Sequence, residues 1–507
     1  MANPADVANR VPITVCLILA TIMNSLDTTI ANVALPHIQG SVSASSDQIT
    51  WVLTSFLIAT AVMTPLSGWL SLRIGRKRLF IISVAGFTLA SMLCGVAQSL
   101  SEIVVFRLLQ GLFGASLIPL SQATVLDLYP PSQVGQVMSL WGAATILGPI
   151  LGPTLGGWLT DNLSWRWVFY INLPIGILAV TGLFLFMATD RGAATKPFDF
   201  LGFGALTIAV AAFQLMVDRG PMQDWFSSNE IWIYAVVALI ALWVFLVQTM
   251  TAEHPFLSRS LAKDRNFVTC SVFGFFIGIL LFSTMALLPP MMQTLMGYSA
   301  YESGLLSMPR GLGSFAAMLL VGRMIGKIDT RAILVTGLAL SAAALWMMTR
   351  FDLSMDGGPI MYSGILQGLG IGLIFVPLSV LAFATLSPVQ RAEGAGIYNL
   401  IRSLGSSVGI SVMQALWTAN TQVAHSDFMS HLDPANPMVS ASLPPMMNPA
   451  TVGGAMALNG EITRQSAMVA YLDDFKLMLF ITIGVMPLLL LMRTPKVAPD
   501  PTHAIAE

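Results

Sequence analysis

Asp27 is a carboxylate set inside an apolar stretch, residues 12–35, long enough to cross a bilayer as a helix. It lies about 24 Å along that stretch at 1.5 Å per residue. A carboxylate at membrane depth costs about 2.5–3.5 kcal/mol, so it normally faces a cavity or a partner. Burial favours its neutral form and a nearby arginine favours its charged form. If those surroundings change, the group can take up a proton on one side of the membrane and release it on the other. The competing reading is a structural aspartate bonded to Asn24 or to a neighbouring helix. Arg107 opens another apolar stretch, 103–125, at a depth similar to that of Asp27. Its alternative is an interfacial arginine reaching for the headgroups. Arg310 and Arg402 are the other cations left inside apolar runs. Arg402 can pair with a carboxylate or face an anionic ligand. Asn32, Gln110 and Gln367 join Arg402 as candidates for lining a binding cavity.

The elements that position these residues come next. Gly148, Gly152 and Gly156 recur every four residues in an apolar run, 137–159, and so share one helical face. With Gly157 they make a strip free of side chains, along which two helix backbones can approach closely in lipid. Pro149 and Pro153 each delete a backbone donor, which predicts a helix that bends or can bend. Static packing and a sliding contact both fit this strip taken alone.

Composition sets the class. Hydrophobic residues make up 55% of the 507 and charged residues 10%, against roughly a quarter charged in soluble domains. The chain is therefore an all-α polytopic membrane protein, with no room for a large soluble domain. A net charge of -1 argues against a nucleic-acid surface. Cys16, Cys94 and Cys270 fall in apolar runs without metal-ligand spacing. The first apolar run is too long for a signal peptide and reads as a retained helix. No phosphate-binding G-x-x-x-x-G-K-[ST] sequence is present, which leaves an ion gradient as the energy source. Gly405-Ser406-Ser407-Val408-Gly409 matches a nucleophile-elbow pattern but sits in an apolar run. His425, Asp427, His431 and Asp433 lack a convincing ligand spacing. Neither a cofactor nor a metal is expected.

Fourteen spans are expected, near 12–35, 50–71, 79–98, 103–125, 137–159, 167–188, 199–217, 231–250, 267–290, 302–325, 332–350, 358–383, 395–418 and 474–493. Basic residues crowd one set of loops, including Arg73, Arg76, Lys77, Arg78, Arg191, Lys196, Arg391, Arg493 and Lys496. The positive-inside rule puts that side, and both termini, in the cytoplasm. Leu109-Gln110-Gly111-Leu112 and Ile118-Pro119-Leu120-Ser121 return as Leu366-Gln367-Gly368-Leu369 and Val376-Pro377-Leu378-Ser379. The basic turn Gly68 to Lys77, with Arg73, Gly75 and Arg76, is echoed by Gly322 to Lys327. The repeat position of Arg107 is Gly364. Two parallel six-helix halves follow, 1–190 and 261–507, with two inserted helices in 191–260. Such paired bundles are built to rock around a site between them.

These marks together resemble the fourteen-helix drug:proton antiporters of the major facilitator superfamily, of the EmrB type. The resemblance covers essentially the whole chain. It rests on Leu26-Asp27-Thr28-Thr29-Ile30-Ala31-Asn32-Val33-Ala34-Leu35-Pro36, the basic turn, Arg107 to Gly111, and the glycine-proline strip. Trp165-Arg166-Trp167 with Asn172-Leu173-Pro174-Ile175-Gly176, and Asp224 to Ser228, add to it. The resemblance implies proton-driven export of hydrophobic or amphipathic compounds from the bacterial inner membrane, with Asp27 and Arg107 in proton coupling. It also implies that the strip serves conformational change and the basic turn gates the cytoplasmic side. The family places an aspartate where this turn has Leu72, which leaves Asp127 or Glu393 to supply the lock. A plain positive-inside anchor is the other reading of the turn.

The loop 419–472 is the one long loop, expected irregular through Pro434 to Pro449 and helical over Met456 to Leu472. By resemblance it docks a periplasmic membrane-fusion adaptor (EmrA-like) and, through it, an outer-membrane channel (TolC-like). A lid over the outer vestibule competes with that. Thirty methionines and 27 phenylalanines suit deformable recognition of varied amphiphiles. Two other readings stand beside drug export. One is export of a single endogenous lipid-like molecule or siderophore, and the other is a sensor or scaffold that moves nothing.

Overall fold

The computed structural model describes residues 8–189, 197–431, 443–448 and 451–492. Arg191, Lys196, Asp433, Pro434, Arg493, Lys496 and both chain ends lie outside them. The first half is built from α1 (Arg10–Ser41), α2 (Trp51–Met63), α3 (Leu66–Ile74), α4 (Arg76–Val96), α5 (Leu100–Gly114), α6 (Leu117–Leu128), α7 (Pro131–Asn162) and α8 (Asn172–Phe186). Two further helices follow, α9 (Phe200–Arg219) and α10 (Asn229–Thr251). The second half holds α11 (Arg265–Pro290), α12 (Ala300–Met324), α13 (Thr330–Met348), α14 (Gly358–Ala384), α15 (Pro388–His431) and α16 (Val452–Val485).

Twelve helical segments are long and apolar enough to cross a membrane, and α2 with α3 makes a thirteenth if the bent pair is one span. The two are inclined at 58°, because Pro65 removes the donor that would continue α2 into α3. The expected thirteenth span, 395–418, lies within α15. That helix is 44 residues long but is not among the segments that pass on composition. Pro149 and Pro153 do not interrupt α7, which stays one helix of 32 residues. The basic turn and its echo share backbone geometry. Gly75 and Gly326 both sit at φ of +87°, a left-handed conformation that a side chain would strain.

Met456 to Leu472 is helical as expected, residues 419–431 are helical where an irregular stretch is expected, and most of Pro434 to Pro449 lies outside the described residues. α15 continues to His431, and α16 starts at Val452 and runs unbroken into the last apolar segment. His425 Nε2 meets Asn459 Oδ1 at 3.0 Å, and Trp417 stacks on Tyr471 with ring centroids 5.4 Å apart. The polar stretch therefore folds as two helical extensions lying side by side.

The two halves meet through small residues. Gly68 packs on the backbone of Glu393, Gly396 on the Thr64 carbonyl, Gly322 on Ser139, and Gly135 on Ile325. A methyl group at Gly68 would sit 2.6 Å from the Glu393 Cα. All four contacts lie toward the end of the molecule that carries the basic turn. The inserted helix α9 touches both halves, packing on α2 and on α15.

Candidate functional site

Asp27 and Arg107 come from helices far apart in sequence and meet in the interior of the first half, both fully buried. Arg107 Nη1 donates to Asp27 Oδ2 at 2.6 Å. Gln110 Nε2 and Asn172 Nδ2 both donate to Asp27 Oδ1, at 2.8 and 2.9 Å. The carboxylate thus accepts from α5 twice and from α8 once. Of the two partners that a structural reading allows, neighbouring helices bond Asp27, while Asn24 donates to the Gly114 carbonyl.

The guanidinium is held from several sides. Its Nε donates to the Val52 carbonyl at 3.3 Å, and Nη1 also reaches Gln110 Oε1 at 2.8 Å. The rings of Phe56 and Phe169 flank it, with centroids 4.8 and 5.3 Å away. Cation–π contact and charge-assisted hydrogen bonding both strengthen once water is excluded. The snorkelling alternative is thereby excluded, since no part of Arg107 reaches the surface. Ser91 accepts a second bond from Asn172 at 2.9 Å and so fixes the amide that addresses Asp27.

The glycine strip lies directly behind this pair. A Cβ on Gly148 would fall 2.4 Å from the Ser25 carbonyl carbon, one on Gly152 2.1 Å from Thr29 Oγ1, and one on Gly156 2.8 Å from Ile30 Cγ1. Gly157 stands off, with nothing nearer than Val33 at 4.0 Å. Backbone contact is reinforced by Thr29 Oγ1 donating to the Gly148 carbonyl at 3.0 Å and Ser25 Oγ to the Thr145 carbonyl at 2.6 Å. Another face of α7 meets the second bundle, where Ile150 packs against Gly311 and Gly142 against Val376. One helix therefore touches both the element carrying Asp27 and the opposing half.

At the basic end, the carboxylate that meets the turn's arginine is Asp127 of α6. It binds Arg76 at 2.7 Å and Arg391 at 2.6 Å. Since Arg391 belongs to α15, this ion triad crosses between the halves. Glu393 is used otherwise, accepting from the Ser258 amide at 2.5 Å. The remaining residues of the turn serve local packing. Arg73 lies over the Trp69 ring at 5.0 Å, and Lys77 Nζ caps α8 through the Phe184 and Met187 carbonyls.

The cavity candidates separate. Gln110 and Gln367 are fully buried inside their own halves rather than facing a space between them. Gln367 Nε2 donates to Thr284 Oγ1 at 3.0 Å, repeating the bond of Gln110 to Asp27 with a hydroxyl in place of the carboxylate. Asn32 is exposed near the far end of α1. Among the described residues, Arg402 has no carboxylate partner. Its Nη2 donates to Asn399 Oδ1 at 2.9 Å and its guanidinium lies 5.1 Å from the Phe375 ring. Asn399 Nδ2 in turn donates to Gln122 Oε1 at 3.0 Å, so this chain also links the halves. Among the described residues, no group of three or more acidic, histidine or cysteine side chains converges as a metal site.

Gln122 and Asn399 are not singled out by sequence reasoning, and Asn172 enters it only within a family signature, not as a partner of Asp27. Each is one of few amides in an apolar stretch, which is a weak sequence signal. Arg391 reads from the sequence only as a loop charge.

Paired helical halves around buried charged residues define a secondary transporter. The chain belongs to the Major Facilitator Superfamily, whose family model matches residues 17–410. It resembles the EmrB type most specifically. The multidrug export protein EmrB of Escherichia coli (strain K12) is 37% identical over 444 residues, covering 87% of this chain and 86% of its own. The fatty acid resistance protein FarB of Neisseria gonorrhoeae is 35% identical over 487 residues, covering 95% and 96%. Solved structures share the fold. The human organic anion transporter MFSD10 aligns with a TM-score of 0.58 at 15% identity, over 95% of this chain and 100% of that one. The proton:xylose symporter XylE aligns with a TM-score of 0.58 at 15% identity, over 93% and 95%. The family is one of transporters, not enzymes.

Proposed function

We propose that this protein exports hydrophobic or amphipathic compounds in exchange for protons, by alternating access. The buried Asp27–Arg107 pair carries the proposal. The Asp27 carboxylate accepts from three side chains in a dry interior, one of them the Arg107 guanidinium, and any movement of α5 or α8 relative to α1 breaks those bonds. α7 offers the mechanical link, since it touches both α1 and the second half. The membrane potential supplies about 2.3 kcal/mol per charge per 100 mV, which is enough to drive uphill transport. The names of the relatives, one for multidrug export and one for fatty acid resistance, support an amphipathic substrate class.

The residence proposed is a bacterial inner membrane, with the basic end and both termini in the cytoplasm. The fourteen-span reading counts α15 as a span. The contacts between halves then close the cytoplasmic side, through the Asp127 triad and the Gly68–Glu393 seam. The helical extensions of α15 and α16 project on the opposite, periplasmic side. They are the proposed docking place for an adaptor of the EmrA kind and, through it, a channel of the TolC kind.

Antiport is tested with purified protein in liposomes under an imposed pH gradient, following lumenal pH while ethidium is added as an amphipathic probe. Ethidium-triggered proton movement that disappears in Asp27→Asn is the expected result. Equal proton movement in both proteins would make Asp27 structural and overturn its coupling role.

A further inference from the structure

The second half holds a buried carboxylate that the site above does not use. Asp474 of α16 is 1% exposed, and neither of its oxygens has a hydrogen-bond partner among the described residues. Burying an unpaired carboxylate is costly, and such groups are retained in membrane segments mainly for function. Its place in the bundle is informative. Met478, one turn along the same face of α16, places its sulfur 3.8 Å from the Thr284 hydroxyl, which donates to the Leu280 carbonyl at 2.6 Å and accepts from Gln367 at 3.0 Å. Gln367 is the repeat partner of Gln110, and its Oε1 is likewise unpartnered. The second half thus keeps the glutamine of the first, but its carboxylate comes from the last helix rather than the first.

The two carboxylates have opposite surroundings. Three side chains donate to Asp27, including a guanidinium, whereas none donates to Asp474. Charged groups on the elements packed around Asp474 are engaged elsewhere. Arg331 of α13 donates to the Met492 carbonyl, Arg402 of α15 to Asn399, and Arg391 of α15 to Asp127. Glu393 accepts from Ser258, and His425 bonds Asn459. On α16 itself, Arg464 holds Glu461 and the Leu295 carbonyl, and Asp473 pairs outward with Lys476 at 2.9 Å. Arg265 is exposed at the basic end of α11. The nearby tyrosines, Tyr471 on α16 and Tyr398 on α15, are stacked on Trp417 and Phe383.

We propose that Asp474 is a second proton-binding site, in which the carboxylate takes up one proton to become the neutral acid. The inference deepens the antiport reading and rests on it only for its role in transport. Binding itself is read independently, by infrared difference spectroscopy of the full-length protein in liposomes after an acid jump. The expected spectrum contains a carboxylic-acid C=O band that is lost in Asp474→Asn, kept in Asp473→Asn and shifted in Asp474→Glu. A band pattern unchanged by Asp474→Asn across the pH range in which the protein stays folded overturns the proposal. Should Asp474→Asn fail to fold, the Asp474→Glu shift decides: a shifted band supports the site and an unmoved one overturns it. If ethidium moves no protons in the wild type while the Asp474 band is present, the antiport reading fails and the proton site stands.

Discussion

Asp27 accepts its shortest bond from the Arg107 guanidinium, which makes Arg107 the residue on which it depends. Removing one partner of a buried pair strands the other, at about 3–5 kcal/mol. Asp27→Asn strands the Arg107 cation but keeps side-chain volume and one acceptor oxygen. Arg107→Ala strands the carboxylate and also empties the space of a fully buried side chain, so it is expected to be the more damaging. Thermal unfolding of the purified variants checks this, with the larger loss of midpoint expected in Arg107→Ala. Asn172→Ala is a milder case. It removes one donor of three, for about 1–3 kcal/mol at a charged acceptor, and frees Ser91. Its expected effect is a changed pH dependence of transport at nearly intact folding. An unaltered pH profile would leave Asn172 as packing alone.

At the scale of the helix, α7 is the element that gives small residues a measurable role. A methyl group at Gly148 would press on the backbone of α1, whereas at Gly152 it meets the movable hydroxyl of Thr29. At Gly157 it finds space. Overpacking costs typically 1–3 kcal/mol, so the expected order of damage to transport and stability is Gly148→Ala, then Gly152→Ala, with Gly157→Ala near wild type. Equal effects at all three would remove the contact with α1 as the explanation. The extensions of α15 and α16 belong to this scale too. At 1.5 Å per residue α15 is about 66 Å long, against roughly 30 Å of hydrocarbon. Cysteine crosslinking between residue 425 and a candidate adaptor is the direct check on docking there.

For the whole molecule, the Asp127 triad is the charged contact that bridges the halves at the basic end. Its members are partly buried, so its hydrogen bonds are charge-assisted and less screened than a surface pair. Asp127→Asn is expected to shift the population toward states open at that end. Spin labels placed on the α3 and α15 ends would then report a longer distance, by double electron–electron resonance. Unchanged distances would mean that the glycine seam at Gly68 and Gly396 holds the halves by itself.

The apolar runs, the repeat and the charges inside the runs are visible along the chain, because membrane insertion acts on local composition. That is why Asp27, Arg107 and the strip at Gly148, Gly152 and Gly156 could be picked out before any contact was known. Partners are another matter. That Asn172 rather than Asn24 addresses Asp27, that Gln110 turns inward and that Arg402 meets Asn399 instead of a carboxylate depend on how α1, α5, α8 and α15 rotate about their axes. Those rotations are set by packing among helices distant in sequence. Asp127 was one of two candidates for the missing aspartate until the position of α15 brought Arg391 to it. Asp474 is not picked out in the sequence, where it adjoins Asp473 at the edge of the last apolar run. The fold turns one of the two outward to Lys476 and buries the other without a partner, because neighbouring residues on a helix point about 100° apart.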